Sequence, residues 1–319
     1  MITRIKKYLK TYRDYNWKIM GGGVLLDCFL SRLIDGTNTN EYIALEFYRK
    51  SHRERKCYLT NRRNIEINQK WLLDVDKKYK DLVGDKAQFD RFFQKFVNRR
   101  FLDSTSASRE EIESFIEQFP AVLAKPVSNT QGKGIQLIKR TDLNDDLLDI
   151  LSSNKYALEQ VIVQHHSLAE INPSSVNTVR IATAVDRNGK GHLIGAVLRC
   201  GGKGSFVDNF HCGGIAYPID MEEGCVCGYG KNITSSERFL SHPASGICMM
   251  GFHVPNWNIL TESIIEAAEM LPQMKYLGWD VAVTEEGIEL VEANYGHDGM
   301  VLQFDHVGKC QKVKSILFG

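Results

Sequence analysis

Two carboxylates and an amide near the C-terminus are the side chains of this chain best placed by type and spacing to do chemistry. The runs Tyr276–Thr284 and Ile288–Asn294 read as the two strands of a hairpin. A strand repeats every two residues, so Ile288, Leu290, Glu292 and Asn294 are expected on one face. A three-residue loop, Glu285-Glu286-Gly287 with Gly287 in the left-handed position, pairs Thr284 with Ile288. Counting back sets Asp280 opposite Glu292 and Gly278 opposite Asn294. Facing carboxylates repel, and a bound cation removes the repulsion. Two carboxylates and an amide, beside a glycine that leaves room, form an all-oxygen set suited to Mg2+. The argument depends on register, because a one-residue slip turns the acids to opposite faces. The alternative is a solvent-facing strand pair whose acids never meet.

A second constellation is the loop Val127–Gly134, with Lys125-Pro126 at the end of the strand before it. Its glycines, Gly132 and Gly134, let backbone N–H groups approach phosphate oxygens, and Ser128 and Thr130 add hydroxyl donors. The order of a Walker loop is missing, and a strand rather than a helix follows. The loop is therefore a phosphate flap between antiparallel strands or an ordinary turn.

These groups need elements to hold them. Residues 1–60 read as helical. Asp85 to Phe101 reads as a helix capped by Asp85, with Ala87, Phe89, Phe92, Phe93, Phe96 and Val97 at three-to-four spacing. A further helix follows the polar link Ser104–Ser108. Strands are expected at 121–125, 135–139, 156–163, 178–185, 192–200 and 215–219, and helices at 141–152 and 260–271. Strands with interspersed helices and mostly short turns indicate an α+β chain with antiparallel sheets rather than a doubly wound parallel one.

The 319 residues suffice for two or three subdomains, and 43% hydrophobic with 25% charged residues is ordinary for a globular protein. The net charge of +1 gives no global field for a polyanion, and no nucleic-acid motif is present, so nucleic acid is excluded as a partner. Fourteen Lys/Arg against six Asp/Glu nevertheless fall in residues 1–63. Seven of those bases lie in Arg49–Arg63, and Ile19–Leu30 adds apolar surface too short to span a bilayer. Peripheral contact with an anionic membrane through residues 1–63 is the expectation, with a solvated face or an oligomer contact as the alternative. The eight cysteines form no disulfide-like framework, which suits reduced thiols in a cytoplasm.

The pieces together resemble the ATP-grasp enzymes, and more narrowly the sugar-transfer-associated ATP-grasp proteins related to glutamate ligases. The resemblance runs from about Tyr79 to Gln303. It rests on Asp85-Lys86, Ala124-Lys125-Pro126, Gly132-Lys133-Gly134, Leu158-Glu159-Gln160, Asn177 through Ile181, Leu198-Arg199, Val207 through Phe210, Gly213-Gly214-Ile215, His242-Pro243, Gly278 through Val281 and Glu292-Ala293-Asn294, in that order. It implies two α+β subdomains gripping a nucleotide, with an N-terminal helical region. The corresponding boundaries are 1–78 for the basic region and 79–319 for the ATP-grasp domain, the latter split into a flap subdomain at about 120–163 and a catalytic core at 164–319.

Position by position, Lys86 and Lys125 resemble the lysines that hold the nucleotide phosphates. The 128–134 loop, with Ser128, Gln131, Gly132, Lys133 and Gly134, resembles the flap over them. Glu159, Gln160, Val161 and Ile162 resemble the hinge whose backbone reads the adenine edge, and Gln164 stands where many relatives carry an acid for the ribose. Asp280, Glu292 and Asn294 resemble ligands for Mg2+, two ions in such enzymes. Arg199 resembles the arginine that faces the transferred phosphoryl group, with Arg180 and Asn209 nearby. The implied activity is an ATP-dependent carboxylate–amine ligase working through an acyl phosphate. Its partners are a small-molecule or glycan carboxylate and an amine co-substrate in surface-polysaccharide assembly. Asp280→Asn, Glu292→Gln and Arg199→Ala are expected to abolish turnover with the fold intact. His211, His242, Asp298 and Gln303 are candidates for the substrate side, each with a structural role as the alternative. A kinase of the same fold and a nucleotide-gated adaptor are the rival activities.

Overall fold

The computed structural model describes residues 22–126, 134–202, 214–232 and 237–319. From residue 22 the chain is helical to residue 92, with α1 (Gly22–Ile34), α2 (Thr39–Ala44), α3 (His52–Arg55), α4 (Asn61–Leu72), α5 (Lys77–Gly84) and α6 (Lys86–Phe92). Local chemistry sets several of the starts. Asn38 and Ser51 form capping boxes with Glu41 and Glu54, and Asp85 accepts the Gln88 N–H at 2.9 Å. The helix expected from Asp85 to Phe101 is much shorter than its aromatic spacing suggested. Its continuation is blocked because the N–H groups of Asn98 and Arg99 donate to the Glu289 carboxylate, at 2.8 and 3.3 Å. Phe89, Phe93 and Phe96 are buried all the same and Phe92 is half-buried, with Phe93 edge-on to Trp279 at 5.5 Å.

The first sheet contains β1 (Phe101–Asp103), β2 (Ala121–Pro126), β3 (Gln136–Lys139) and β4 (Tyr156–Gln160), in the order β1-β4-β2-β3, all antiparallel. Helices α7 (Arg109–Glu117) and α8 (Asp145–Ser153) cover one face, where Ile112, Phe115 and Leu151 pack with Val122, Ala124 and Leu158. Strand alternation turns Lys125 and Glu159 to the opposite face. β1, not foreseen in the sequence, joins this sheet from outside the 120–163 boundaries.

After α9 (His166–Ile171) come β5 (Thr178–Val185), β6 (Gly191–Cys200), β7 (Ile215–Ile219), α10 (Trp257–Met270), β8 (Tyr276–Val283), β9 (Ile288–Tyr295) and α11 (Cys310–Phe318). The second sheet runs β7-β6-β5-β8-β9, again antiparallel. Every residue of β8 is buried, as a central strand covered on both faces requires. Residues 22–78 are helical as expected, but they are packed in: Tyr42, Leu45, Phe47, Leu59, Ile67 and Trp71 share one core with β5, β6 and β8. Among the described residues no helix is long and apolar enough to cross a membrane.

Candidate active site

The β8–β9 ladder pairs Asp280 with Glu292 and Gly278 with Asn294, by a different route from the one the sequence suggested. The turn is one residue longer, so Val283 rather than Thr284 pairs with Ile288. A bulge between Val281 and Asp280 then places the extra residue Val291 on β9 and restores the pairing. The bulge also breaks the alternation. Ile288, Leu290 and Ala293 face the core rather than sharing a face with Glu292 and Asn294. Asn294 Nδ2 donates to Glu292 Oε1 at 2.9 Å, so these two polar groups meet.

The cations beside Asp280 include two from the protein itself. Arg180, its partner across β5–β8, donates from Nε and Nη2 at 2.5 and 2.7 Å, and Arg199 Nη1 donates at 2.9 Å. Burial alone would raise the Asp280 carboxyl, but the two guanidinium charges outweigh it and hold it well below the usual range. Glu292 shifts the other way, pushed up by burial and by the Asp280 charge. The donor set of Glu292, Asn294 and Asp280 fits a hard divalent cation by type, two carboxylates and an amide oxygen, with a cation at Glu292 offsetting the repulsion from Asp280. The sequence reading expected Asp280→Asn to leave the fold intact; two largely buried arginines pair with this carboxylate, so the substitution also bears on stability.

Gly278 leaves room, though for a protein side chain. A Cβ there would lie 2.7 Å from Cγ of His297. The His297 ring packs 4.5 Å from Tyr276, and among the described residues neither ring nitrogen meets a hydrogen-bond partner within bonding geometry. Burial, aided by the Arg180 charge, drives its pKa down to about 3, so the ring is neutral. Sequence reading missed His297, whose place beside Gly278 is set by the fold rather than by its local sequence.

The two lysines come from the first sheet and the helix before it. Lys86 opens α6 and donates to Pro126 O at 3.1 Å, and Lys125 donates to Glu159 at 2.6 Å. Burial and then the Lys125 charge lower the Lys86 pKa, opposed by Glu292 and Glu159, so the four groups share one field. Arg99, also missed, ties them together. Its guanidinium bonds Asp90, Glu159 and Glu289 at 2.7 Å each and the Leu290 carbonyl at 2.8 Å. One buried arginine thus links α6, β4 of the first sheet and β9 of the second.

Several expected ligands have other occupations. The Glu159 carboxylate is 1% exposed and consumed by Lys125 and Arg99, which hold its pKa down near about 2 against burial. Gln160 pairs through both backbone and side chain with Arg100. Val161 and Ile162, half-buried, lie in the irregular segment after β4. The Gln164 amide bonds Ser175 O at 2.8 Å and Asn177 N at 2.8 Å, clamping the 172–177 turn. His242 and Gln303 are fully buried and bonded to backbone, His242 to Gly201 O and Gln303 to Leu59 N, so both are structural. His165 caps α9, and His166 bonds Glu285. Gly134 is described, with φ of 79°. Ser128, Gln131, Gly132, Lys133, Asn209 and His211 lie outside the described residues.

A family described as sugar-transfer associated ATP-grasp matches residues 59–315. Solved structures similar to the chain include the ATP-grasp ligase PsnB with a phosphomimetic variant of minimal precursor, Mg and ADP. It is 12% identical, with a TM-score of 0.47 over 75% of this chain and 59% of that one. A biotin carboxylase from Campylobacter jejuni is 12% identical, with a TM-score of 0.49 over 75% and 46%. D-alanyl-alanine synthetase A from Vibrio cholerae O1 biovar eltor is 12% identical, with a TM-score of 0.42 over 71% and 58%. The chain thus spans less than two thirds of each of these structures. No curated protein matches it.

Proposed function

The chain belongs to the sugar-transfer associated ATP-grasp family, and on that premise we propose that it is an ATP-dependent ligase that activates a carboxylate as an acyl phosphate and joins it to an amine. The observation that carries the reading is the convergence of Lys86 and Lys125 from one side with Glu292, Asn294 and Asp280 from the other. Phosphoryl transfer asks the protein for charge neutralisation and alignment rather than a nucleophile. Lys86 and Lys125 supply positive charge to phosphate oxygens. Glu292, Asn294 and Asp280 would hold Mg2+, which supplies neutralisation where the phosphate charge is greatest. Arg199 and Arg180, always protonated, stabilise negative charge that develops on the acyl group, and Asp280 fixes their direction.

The nucleotide lies between the two sheets, with the 128–134 loop as its cover and the stretch from Glu159 to Ile162 as the edge that faces adenine. The carboxylate and the amine come from an amino acid or small amine and a sugar of a surface polysaccharide, a reading that the family description supports. Calorimetric titration of AMP-PNP, with Mg2+ and with EDTA, into wild type and Glu292→Gln tests the nucleotide half. Binding that strengthens with Mg2+ in wild type alone is expected; equal binding in all four titrations would remove the metal assignment.

Peripheral membrane contact rests on α1, where Leu26, Phe29, Leu30, Leu33 and Ile34 are exposed. Flotation with anionic liposomes is expected to carry wild type upward and to leave a Leu26→Ser/Phe29→Ser variant behind. Wild type that stays at the bottom ends this part of the proposal.

A further inference from the structure

A second group of basic side chains lies beside β7, and the chemistry above leaves it unused. Lys231 forms a bridge with Ala216, which in turn faces Arg199 across the β6–β7 ladder. Directly opposed residues share a face, so Lys231 and Arg199 lie on one face, two strand spacings or about 10 Å apart. Lys231 is 8% exposed. Its Nζ is 3.3 Å from His306 Nε2, and Lys50 Nζ is 3.4 Å from His306 Nδ1. Each ammonium also gives one hydrogen to a carbonyl at the end of α2, Lys231 to Ala44 O at 2.7 Å and Lys50 to Leu45 O at 2.9 Å. Arg49 and Arg238 converge on Glu46 beside them.

Capping α2 accounts for one hydrogen of each lysine and not for His306. A neutral imidazole has a single acceptor nitrogen, so with amino groups at both ring nitrogens one contact sets donor against donor in either tautomer. Burial, with the neighbouring positive charges, pulls Lys231 down to about 8 and His306 to about 4. Two of the three non-glycine residues with positive φ among those described, Glu46 at 54° and His306 at 61°, belong to this group. Backbone strain of that kind persists only where the surroundings fix it, and it gathers at ligand sites. A phosphate, with several acceptor oxygens, satisfies both lysines and the ring at once.

We propose that Lys50, Lys231 and His306, with Arg238 at the rim, form an oxyanion subsite for a phosphate group carried by the carboxylate substrate, on the sheet face that carries Arg199. The identity of the substrate's reacting end rests on the ligase reading; the subsite itself does not. The probes are inorganic phosphate and a series of ω-phosphonocarboxylates of increasing chain length. All are titrated calorimetrically into the full chain with AMP-PNP and Mg2+ present. Linked groups that reach both positions bind more tightly than either alone. The expected result is binding of one member of the series at least about tenfold tighter than phosphate, and about tenfold weaker binding of that member and of phosphate in Lys231→Met and in Lys50→Met. Lys50 is the less buried of the two, so its variant keeps the test open if Lys231→Met misfolds. Unchanged phosphate affinity in the variants overturns the subsite. A series with no member tighter than phosphate overturns its assignment to the substrate. Loss of AMP-PNP binding in wild type strikes the ligase reading instead, and is read separately.

Discussion

Asp280 and Glu292 face each other across one ladder, yet replacing them has opposite structural consequences. Asp280 is the shared carboxylate of Arg180 and Arg199. Asp280→Asn removes the carboxylate charge that both guanidinium groups share, and removing one partner of a buried pair costs about 3–5 kcal/mol. Glu292→Gln removes a cross-strand repulsion of roughly 0.2–1 kcal/mol. The ligand-free variant should therefore unfold slightly later than wild type while its turnover falls about 10²–10³-fold. Thermal unfolding run beside ADP release decides it, and a destabilised variant with full turnover would contradict both halves. The pairing of the acids was legible in the sequence only because two departures offset each other, a longer turn and the bulge at Val291. Neither leaves a mark in residue type. His297 and Arg99 were not legible, since nothing local distinguishes a histidine that fills the space beside Gly278 or an arginine that receives three carboxylates from distant segments. The partners of Gln164 at Ser175 and Asn177 were not legible for the same reason, being set by a turn.

Elements were read well where one local force decides them. β5 and β7 fall where their β-branched runs put them, and the capping residues Ser108 and Asp85 start their helices. Tertiary bonding prevailed elsewhere, as where Glu289 ends the aromatic helix by taking two N–H groups. Arg99 joins α6, β4 and β9, so Arg99→Met should lower stability by about 3–5 kcal/mol in chemical denaturation. It should also raise the KM for ATP by freeing Lys125 from its fixed carboxylate. Stability within error of wild type would show that the three carboxylates relax without it. The cap of α2 makes a pH prediction. Glu41 is 2% exposed, and burial, aided by the Asp298 charge and opposed by hydrogen bonds from Asn38 and Asn61, raises its pKa to about 7. Its protonated form is favoured in the folded state, so its contribution is fully present below the unfolded carboxyl value of about 4.3 and is lost as pH rises to about 7. Glu41→Gln should lack that loss, its unfolding free energy gaining on wild type between these pH values. Parallel pH profiles would contradict the assignment.

At the scale of the molecule, three of the seven bases in Arg49–Arg63 are spent on internal contacts with neighbouring helices and loops. Arg55 pairs with Asp27 and Asp35, Arg63 with Asp35, and Arg62 with the carbonyls of Arg32 and Leu33. A charge count along the chain cannot separate such bases from solvated ones, because the acids that take them lie up to 28 residues away. The account as a whole stands on carboxylate activation, and one measurement bears on it most directly. Wild type is incubated with ATP, Mg2+ and hydroxylamine against uronic acids, other sugar acids and amino acids, and ADP and hydroxamate are both quantified. ADP release that depends on one class of carboxylate, with hydroxamate formed in step, is the predicted result. Robust ADP release with a sugar bearing only hydroxyl groups, and no hydroxamate from any carboxylate, would contradict the ligase and favour a kinase.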